Sequence, residues 1–165
     1  MKKVLTILCL ALLSSCSQEP EVFTGPFIIR GGVTYDQNTN EPVTGIVDKL
    51  YDDGQLYSRT NYLDGEINGL LEYFYESGQL SWRKNYVDGE LDGPVERFRE
   101  DGQLQYRMSY VDGERNGLDE HFYEDGQLAY RGNYIDGKQD GLWEFFDEDG
   151  NLTKTSTYRN GVLVD

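Results

Sequence analysis

The chain has one histidine, His121, and two cysteines, Cys9 and Cys16, so few of its residues are equipped for acid–base or nucleophilic chemistry. A Ser-His-acid set would have to use His121, and no nucleophile motif accompanies it. His121 also falls at a recurring position that Tyr73, Arg97 and Phe145 hold elsewhere, which reads as a strand residue in packing or at the surface. Glu72, Glu96, Glu120 and Glu144 recur too, and paired carboxylates are the equipment of general acid–base catalysis. All but Glu144 face an arginine in the register derived below, so an ion-pair ladder is their expected role. Clusters such as Asp52-Asp53-Gly54 and Glu148-Asp149-Gly150 offer oxygens to a hard cation. They lack the alternating Asp/Asn spacing of an EF-hand loop, and turn chemistry accounts for each residue. The expectation is a protein that is not an enzyme, with no catalytic residue, metal site, cofactor or small-molecule substrate.

A different chemistry is offered by Tyr73, Tyr75, Trp82, Tyr106, Tyr123 and Tyr130, with Arg97 and Arg99 replacing aromatics in the third repeat. Tyr, Trp and Arg are favoured at the energetic centres of interfaces, so these eight form a candidate binding surface. Self-packing of a thin sheet is the other reading of the same stripe.

The elements that would position these residues follow from a period of 24. Gly45, Gly69, Gly93, Gly117 and Gly141 form one series, Gly54, Gly78, Gly102, Gly126 and Gly150 a second, and Gly65, Gly89, Gly113, Gly137 and Gly161 a third. Leu56 to Leu152 and Tyr62 to Tyr158 keep the same step without an insertion. Within a unit, Leu70–Tyr75 and Leu80–Val87 read as strands around Ser77-Gly78, whose equivalents are Asp-Gly. A two-residue loop with both central residues at positive φ is expected there. Asp-Gly-x-x-(Asn/Asp)-Gly segments join successive hairpins. The fold class is therefore all-β: an elongated, single-layer antiparallel meander of five hairpin repeats, about 42–65, 66–89, 90–113, 114–137 and 138–161. Ten strands at ~4.8 Å each would make a sheet about 50 Å long.

With a two-residue loop, Asp48 pairs with Arg59, Glu72 with Arg83, Glu96 with Arg107 and Glu120 with Arg131, while Glu144 faces Thr155. A three-residue loop with a bulge would break this match. Alternation puts Leu70, Glu72 and Phe74 on one face, and Tyr73, Tyr75, Leu80, Trp82 and Tyr86 on the other. Residues 27–35 are expected to cap one end as a degenerate half-repeat and residues 160–165 the other.

The first 15 residues have Lys2 and Lys3, then an apolar run from Val4 to Leu13 too short to cross a bilayer as a helix. Leu13-Ser14-Ser15-Cys16 resembles a lipobox, which implies a signal peptide over 1–15, lipidation of Cys16 and a lipidated tether over 16–25, before a repeat domain over 26–165. Ser17 after the cysteine implies the cell envelope, facing the periplasm from the outer membrane in a Gram-negative cell. Loss of the first 15 residues would leave 13 basic against 30 acidic side chains, a net of −17. Such a charge repels nucleic acid and anionic headgroups and favours a basic protein partner.

The repeat Gly69-Leu70-x-Glu72-x-Phe74-Tyr75-Glu76-x-Gly78-Gln79-Leu80-x-x-Arg83-x-Asn85-Tyr86-x-Asp88-Gly89 resembles the MORN repeat, and more closely its variant in the YwqK-family antitoxin group. Arg30-Gly31-Gly32-Val33-x-Tyr35 and Glu41-Pro42-Val43-Thr44-Gly45 are similar to the entry segment of lipoproteins in that group. The resemblance implies a MORN-like sheet and an immunity protein that neutralises a toxin by direct binding. The rival function is a structural envelope scaffold or surface-binding lipoprotein without a toxin.

Overall fold

The computed structural model describes residues 20–165, and the lipobox and Cys16 lie outside them. Among the described residues there is no helix. The backbone is a 12-stranded sheet and a separate two-stranded one. Five hairpins build the large sheet: β4 (Gly45–Leu50) with β5 (Leu56–Leu63), β6 (Glu66–Phe74) with β7 (Leu80–Val87), β8 (Glu90–Phe98) with β9 (Leu104–Val111), β10 (Glu114–Phe122) with β11 (Leu128–Ile135), and β12 (Lys138–Phe146) with β13 (Leu152–Arg159). Each strand pairs antiparallel with the next in sequence, which is the expected meander.

The ends differ from expectation at one side. β1 (Val22–Phe23), within the segment read as tether, pairs parallel with β4 and covers its free edge. β2 (Phe27–Arg30) and β3 (Val33–Asp36) form the small sheet instead of a terminal half-repeat. That hairpin seats on the first inter-hairpin turn, where the Thr34 N–H donates to the Gly65 carbonyl at 2.8 Å and the Val43 N–H donates to the Thr34 carbonyl at 3.0 Å. At the far end β14 (Val162–Leu163) folds back on β13 and closes the sheet, as the cap requires.

The ion-pair register holds, but by a different loop. Glu72 faces Arg83, and Asp48, Glu96 and Glu120 face Arg59, Arg107 and Arg131. Nearer the turn, however, Phe74 pairs with Leu80, one residue out of that register. The Tyr75 N–H donates to the Gln79 carbonyl and the Gly78 N–H to the Tyr75 carbonyl, both at 2.8 Å, so the loop has three residues. Only Gly78 has positive φ, at 83°, and Ser77 does not. Ser81 then bulges out of the ladder, and this second extra residue restores the register that a two-residue loop would have set. The same hydrogen bonds and slip recur in all five hairpins. Because paired residues share a face, the bulge moves Leu80 to the side of Phe74 and Glu72, not to the tyrosine face.

The two-residue turns with both φ values positive lie between hairpins. Asp88 has φ 48° and Gly89 81°, with Asp64, Asp112, Asp136 and Asn160 equivalent, each followed by glycine. Val87 pairs directly with Glu90 across this turn. The glycine N–H then reaches back one hairpin: Gly89 donates to the Ile67 carbonyl at 3.0 Å, Gly113 to Leu91 at 2.9 Å, and Gly137 to Arg115 at 2.9 Å. Each turn is thereby fastened to the strand that leaves the turn before it.

Apart from Val43 near the small sheet, the buried apolar side chains fall in one column of positions, where Val47, Leu71, Val95 and Trp143 are spaced by the repeat and Asp119 is buried among them. Their cross-strand partners are Thr60, Lys84, Met108, Gly132 and Ser156. A single sheet has no second layer to bury against, so this column supplies the core under the larger aromatic side chains of the same face.

Gly65 and Gly89 share a left-handed conformation, but a Cβ at Gly65 would strike Val33 and the Thr34 carbonyl (2.7 Å), while at Gly89 it would meet open space. Gly89→Ala is expected to cost about 1 kcal/mol of stability from φ alone. Gly65→Ala is expected to cost a further ~1–3 kcal/mol from overlap. Urea unfolding of the two variants against wild type measures the difference.

Candidate functional site

Following cross-strand partners from β4 to β13 traces one uninterrupted row: Lys49, Ser58, Tyr73, Trp82, Arg97, Tyr106, His121, Tyr130, Phe145 and Lys154. Side chains in such a row stand side by side, close enough for rings to touch. Trp82 and Tyr106 meet edge to face at 5.6 Å between centroids, on either side of Arg97. His121 is stacked between Tyr106 at 5.0 Å and Tyr130 at 4.4 Å, and Tyr130 continues to Trp143 and Phe145 at 5.9 Å each. The row is half-buried from Tyr73 to Phe145, leaving one flank of each ring to solvent.

Of the eight residues singled out as a binding surface, Tyr73, Trp82, Arg97, Tyr106 and Tyr130 share this row. Tyr75, Arg99 and Tyr123 stand at another position and hold the next hairpin. The Tyr75 hydroxyl donates to the Phe98 carbonyl at 2.8 Å and the Tyr123 hydroxyl to the Phe146 carbonyl at 2.7 Å, as Tyr51 does to Phe74 at 2.6 Å. Arg99 substitutes for the tyrosine and does the same work, its Nη2 donating to the Phe122 carbonyl at 2.8 Å. His121 and Phe145 complete the ring part of the row, and Lys84 stands beside it in the core column. The first two follow from the period, since 73, 97, 121 and 145 are one repeat position, whereas a lone histidine was weighed for catalysis.

The other face carries the charged row. Arg59 binds Asp48 through two nitrogens, at 2.8 and 2.6 Å. Arg83 lies between Glu72 at 3.0 Å and Glu96 at 3.7 Å, and Arg107 between Glu96 at 2.9 Å and Glu120 at 3.8 Å. Arg131 faces Glu120 but turns its guanidinium to Glu144 at 2.6 Å, so the fourth expected pair is exchanged for one across the next strand. Each arginine sits between two carboxylates in the sheet, and one rotamer decides which it holds. These half-exposed bridges contribute ~0–1 kcal/mol each and serve mainly to keep register.

Asp119 breaks the apolar core column. It is 2% exposed, with Arg115 at 3.7 Å and His121 at 3.4 Å, and its Oδ1 makes no hydrogen bond among the described residues. The Trp143 indole lies over Gly132, the cross-strand partner of Asp119, in space that a Cβ would fill. Burial, then the Asp119 charge, push the Tyr130 phenol up to about 12. Burial likewise raises Tyr73, Tyr86 and Tyr106 and lowers Lys84. Among the described residues no three His, Cys, Asp or Glu side chains converge as a metal site would need. What this geometry offers chemically is a flat π surface with embedded cations.

The sheet and its rows define an all-β tandem-repeat protein with one aromatic face and one ion-paired face. The model of the MORN repeat variant matches residues 91–112, 115–136 and 139–160, three consecutive repeats from β8 to β13. No curated protein matches the chain. Among solved structures, the TarM G117R mutant of S. aureus in complex with fondaparinux, α-GlcNAc-glycerol and UDP is similar at TM-score 0.38 and 18% identity, over 58% of this chain and 19% of that one. A further TarM crystal structure gives 0.36 and 18% over 57% and 20%, and a GtfA/B complex bound to UDP and GlcNAc gives 0.29 and 11% over 80% and 23%. The matched part thus spans about a fifth of each of those chains.

Arg99→Tyr is expected to leave stability unchanged, because either side chain reaches the Phe122 carbonyl, whereas Arg99→Ala is expected to lose ~1 kcal/mol. Thermal or urea unfolding distinguishes them. In alkali, a phenol whose folded pKa is raised contributes stability that is whole below its unfolded value near 10 and is lost as pH rises towards about 12. Tyr130→Phe has no proton to lose there. Its melting temperature is expected to fall less steeply than that of wild type between those pH values, as followed by circular dichroism.

Proposed function

We propose that this protein is a non-catalytic binding module of the cell envelope, anchored through lipid on Cys16, and that its aromatic face holds a protein partner. The partner we infer is a toxin that the module neutralises by direct binding. The single observation that carries the reading is the row from Tyr73 to Phe145, half-exposed and unbroken across the sheet. Rings locked by their neighbours lose little entropy on binding, and aromatic and arginine side chains supply most of the energy at protein interfaces. MORN-variant repeats at 91–160 support the module part of the reading, since tandem repeats present long continuous surfaces to partners. The anchor rests on the charged start, short apolar run and lipobox-like end of the first 16 residues.

The test places a photocrosslinking residue at Phe145 in the full chain, expressed in its own cells. Wild type is expected to trap one defined protein. Tyr106→Ala with Tyr130→Ala is expected to lower the yield about tenfold, as loss of aromatic hot spots does. Cys16→Ser is expected to abolish acyl labelling and release the protein from the membrane fraction. Deletion is expected to sensitise cells to the trapped protein. A trapped partner indifferent to the double variant, or the absence of any partner, overturns the binding reading; a partner harmless to the deletion strain overturns the toxin.

A further inference from the structure

The excess of acid in the chain is not spread evenly. The two long margins of the sheet carry it: Asp52, Asp53, Glu76, Glu100, Asp101, Glu124 and Asp125 lie in or beside the loops within hairpins, and Asp64, Glu66, Asp88, Glu90, Asp112 and Glu114 in or beside the turns between them. On the ion-paired face every arginine has a carboxylate within 4 Å. The aromatic row and the core column beside it reverse the balance. They hold Lys49, Lys84, Arg97 and Lys154 against one acid, Asp119, which is engaged with Arg115 and His121.

Two of these cations lie against the same ring. The Lys84 Nζ and the Arg97 guanidinium each lie 4.8 Å from the Trp82 ring centre. Neither has a carboxylate partner within salt-bridge distance among the described residues. With Tyr57, Tyr73 and Trp82 they line a concavity of about 450 Å³, the space of a few side chains. Lys84 is out of place for stability alone. Its position belongs to the core column, where the other hairpins put Thr60, Met108, Gly132 and Ser156, and burial lowers its pKa with no charge opposite to offset the loss of water. Arg97 stands where the other repeats place Lys49, Tyr73, His121 and Phe145.

We propose that Lys84, two residues along the strand from Trp82, and Arg97, the cross-strand partner of Trp82, form an anion subsite that receives one Asp or Glu side chain of the protein partner. This deepens the binding-module reading and rests on it. The charge pattern selects the occupant. A polyanion would have to cross the carboxylate margins, which repel it, whereas a basic surface presenting a single acid meets negative margins and a positive centre together. Such alternation fixes register and rejects partners whose charges fall elsewhere. The ring of Trp82 holds both cations over a low-dielectric floor, where a carboxylate binds more strongly than in water.

The test uses two capped pentapeptides, Lys-Tyr-Glu-Tyr-Lys and its Gln counterpart, titrated against the full chain and followed by Trp82 fluorescence, with Trp82→Phe to assign the signal. The substitutions Lys84→Met and Arg97→Tyr are residues the repeat itself uses at those positions, and circular dichroism checks that the fold survives. The Glu peptide is expected to bind wild type about tenfold more tightly than the Gln peptide, and the double variant is expected to erase that difference. Equal binding of the two peptides to wild type, no binding of either, or discrimination surviving in the double variant overturns the subsite. So does tighter binding of inorganic phosphate or an oligogalacturonate than of the Glu peptide, which would make the ligand a free anion or an acidic glycan. If crosslinking at Phe145 still traps the partner while the peptides are not distinguished, the subsite fails and the module stands. If the peptides are distinguished but no partner is trapped, the module fails and takes the protein-partner occupant with it, while the preference for a carboxylate side chain stands.

Discussion

The structure depends on a backbone constraint repeated at each inter-hairpin turn: two consecutive residues held in the left-handed region. Asp-Gly, or Asn-Gly at the last turn, meets it at little cost, because glycine has no Cβ and Asp and Asn tolerate positive φ. The tight reversal aims the glycine N–H at a carbonyl at the start of the strand that leaves the preceding turn, and this bond ties successive hairpins together. The other regularities recur with it. The hydroxyls of Tyr51, Tyr75 and Tyr123 find a phenylalanine carbonyl one repeat on, and the arginine of each hairpin lands between carboxylates of two strands.

A sheet one layer thick must give each face its own means of satisfying side chains. On one face charge does it, with arginines shared along an alternating row. On the other, rings lean on rings over a narrow column of buried residues. Separation of the two follows from the alternation of strands, and the bulge after each loop sustains it: without the extra residue at Ser81 and its equivalents, a three-residue loop would have thrown glutamate opposite the wrong partner. The acids that remain gather in the turns, where they serve local geometry as well as charge. The Asp53, Asp101 and Asp125 carboxylates each accept the N–H two residues on, at 2.9 Å, and so brace the left-handed glycine between.

Departures from the repeat mark where the protein departs from mere regularity. Arg99 keeps its tyrosine equivalents' hydrogen bond, so that substitution is neutral to the frame. Lys84 and Asp119 are different: Lys84 stands where the other hairpins have Thr, Met, Gly or Ser, Asp119 where they have Val, Leu or Trp, and both lie on the aromatic face. On the ion-paired face the buried acids Asp48 and Glu96 each face an arginine, whereas Lys84 and Arg97 on the aromatic face have no carboxylate within salt-bridge distance among the described residues.

The period, the meander, the ion-pair partners and most of the aromatic surface could be read from residue order alone, because a repeat without insertions carries its register in its spacing. The type of each turn could not. Asp53-Gly54 and Asp64-Gly65 are the same dipeptide, yet one closes a three-residue loop and the other a two-residue turn. What separates them is the pairing of the whole strands on either side, which a dipeptide does not contain. The face of Leu80, the exchange of Arg131 from Glu120 to Glu144, and the recruitment of Val22 and Phe23 as an edge strand were decided the same way. So was the placing of Lys84 and Arg97, 13 positions apart in the chain, against the one ring of Trp82. Each depends on a contact between strands, where a bulge of one residue or the rotamer of one arginine outweighs any preference of the local sequence.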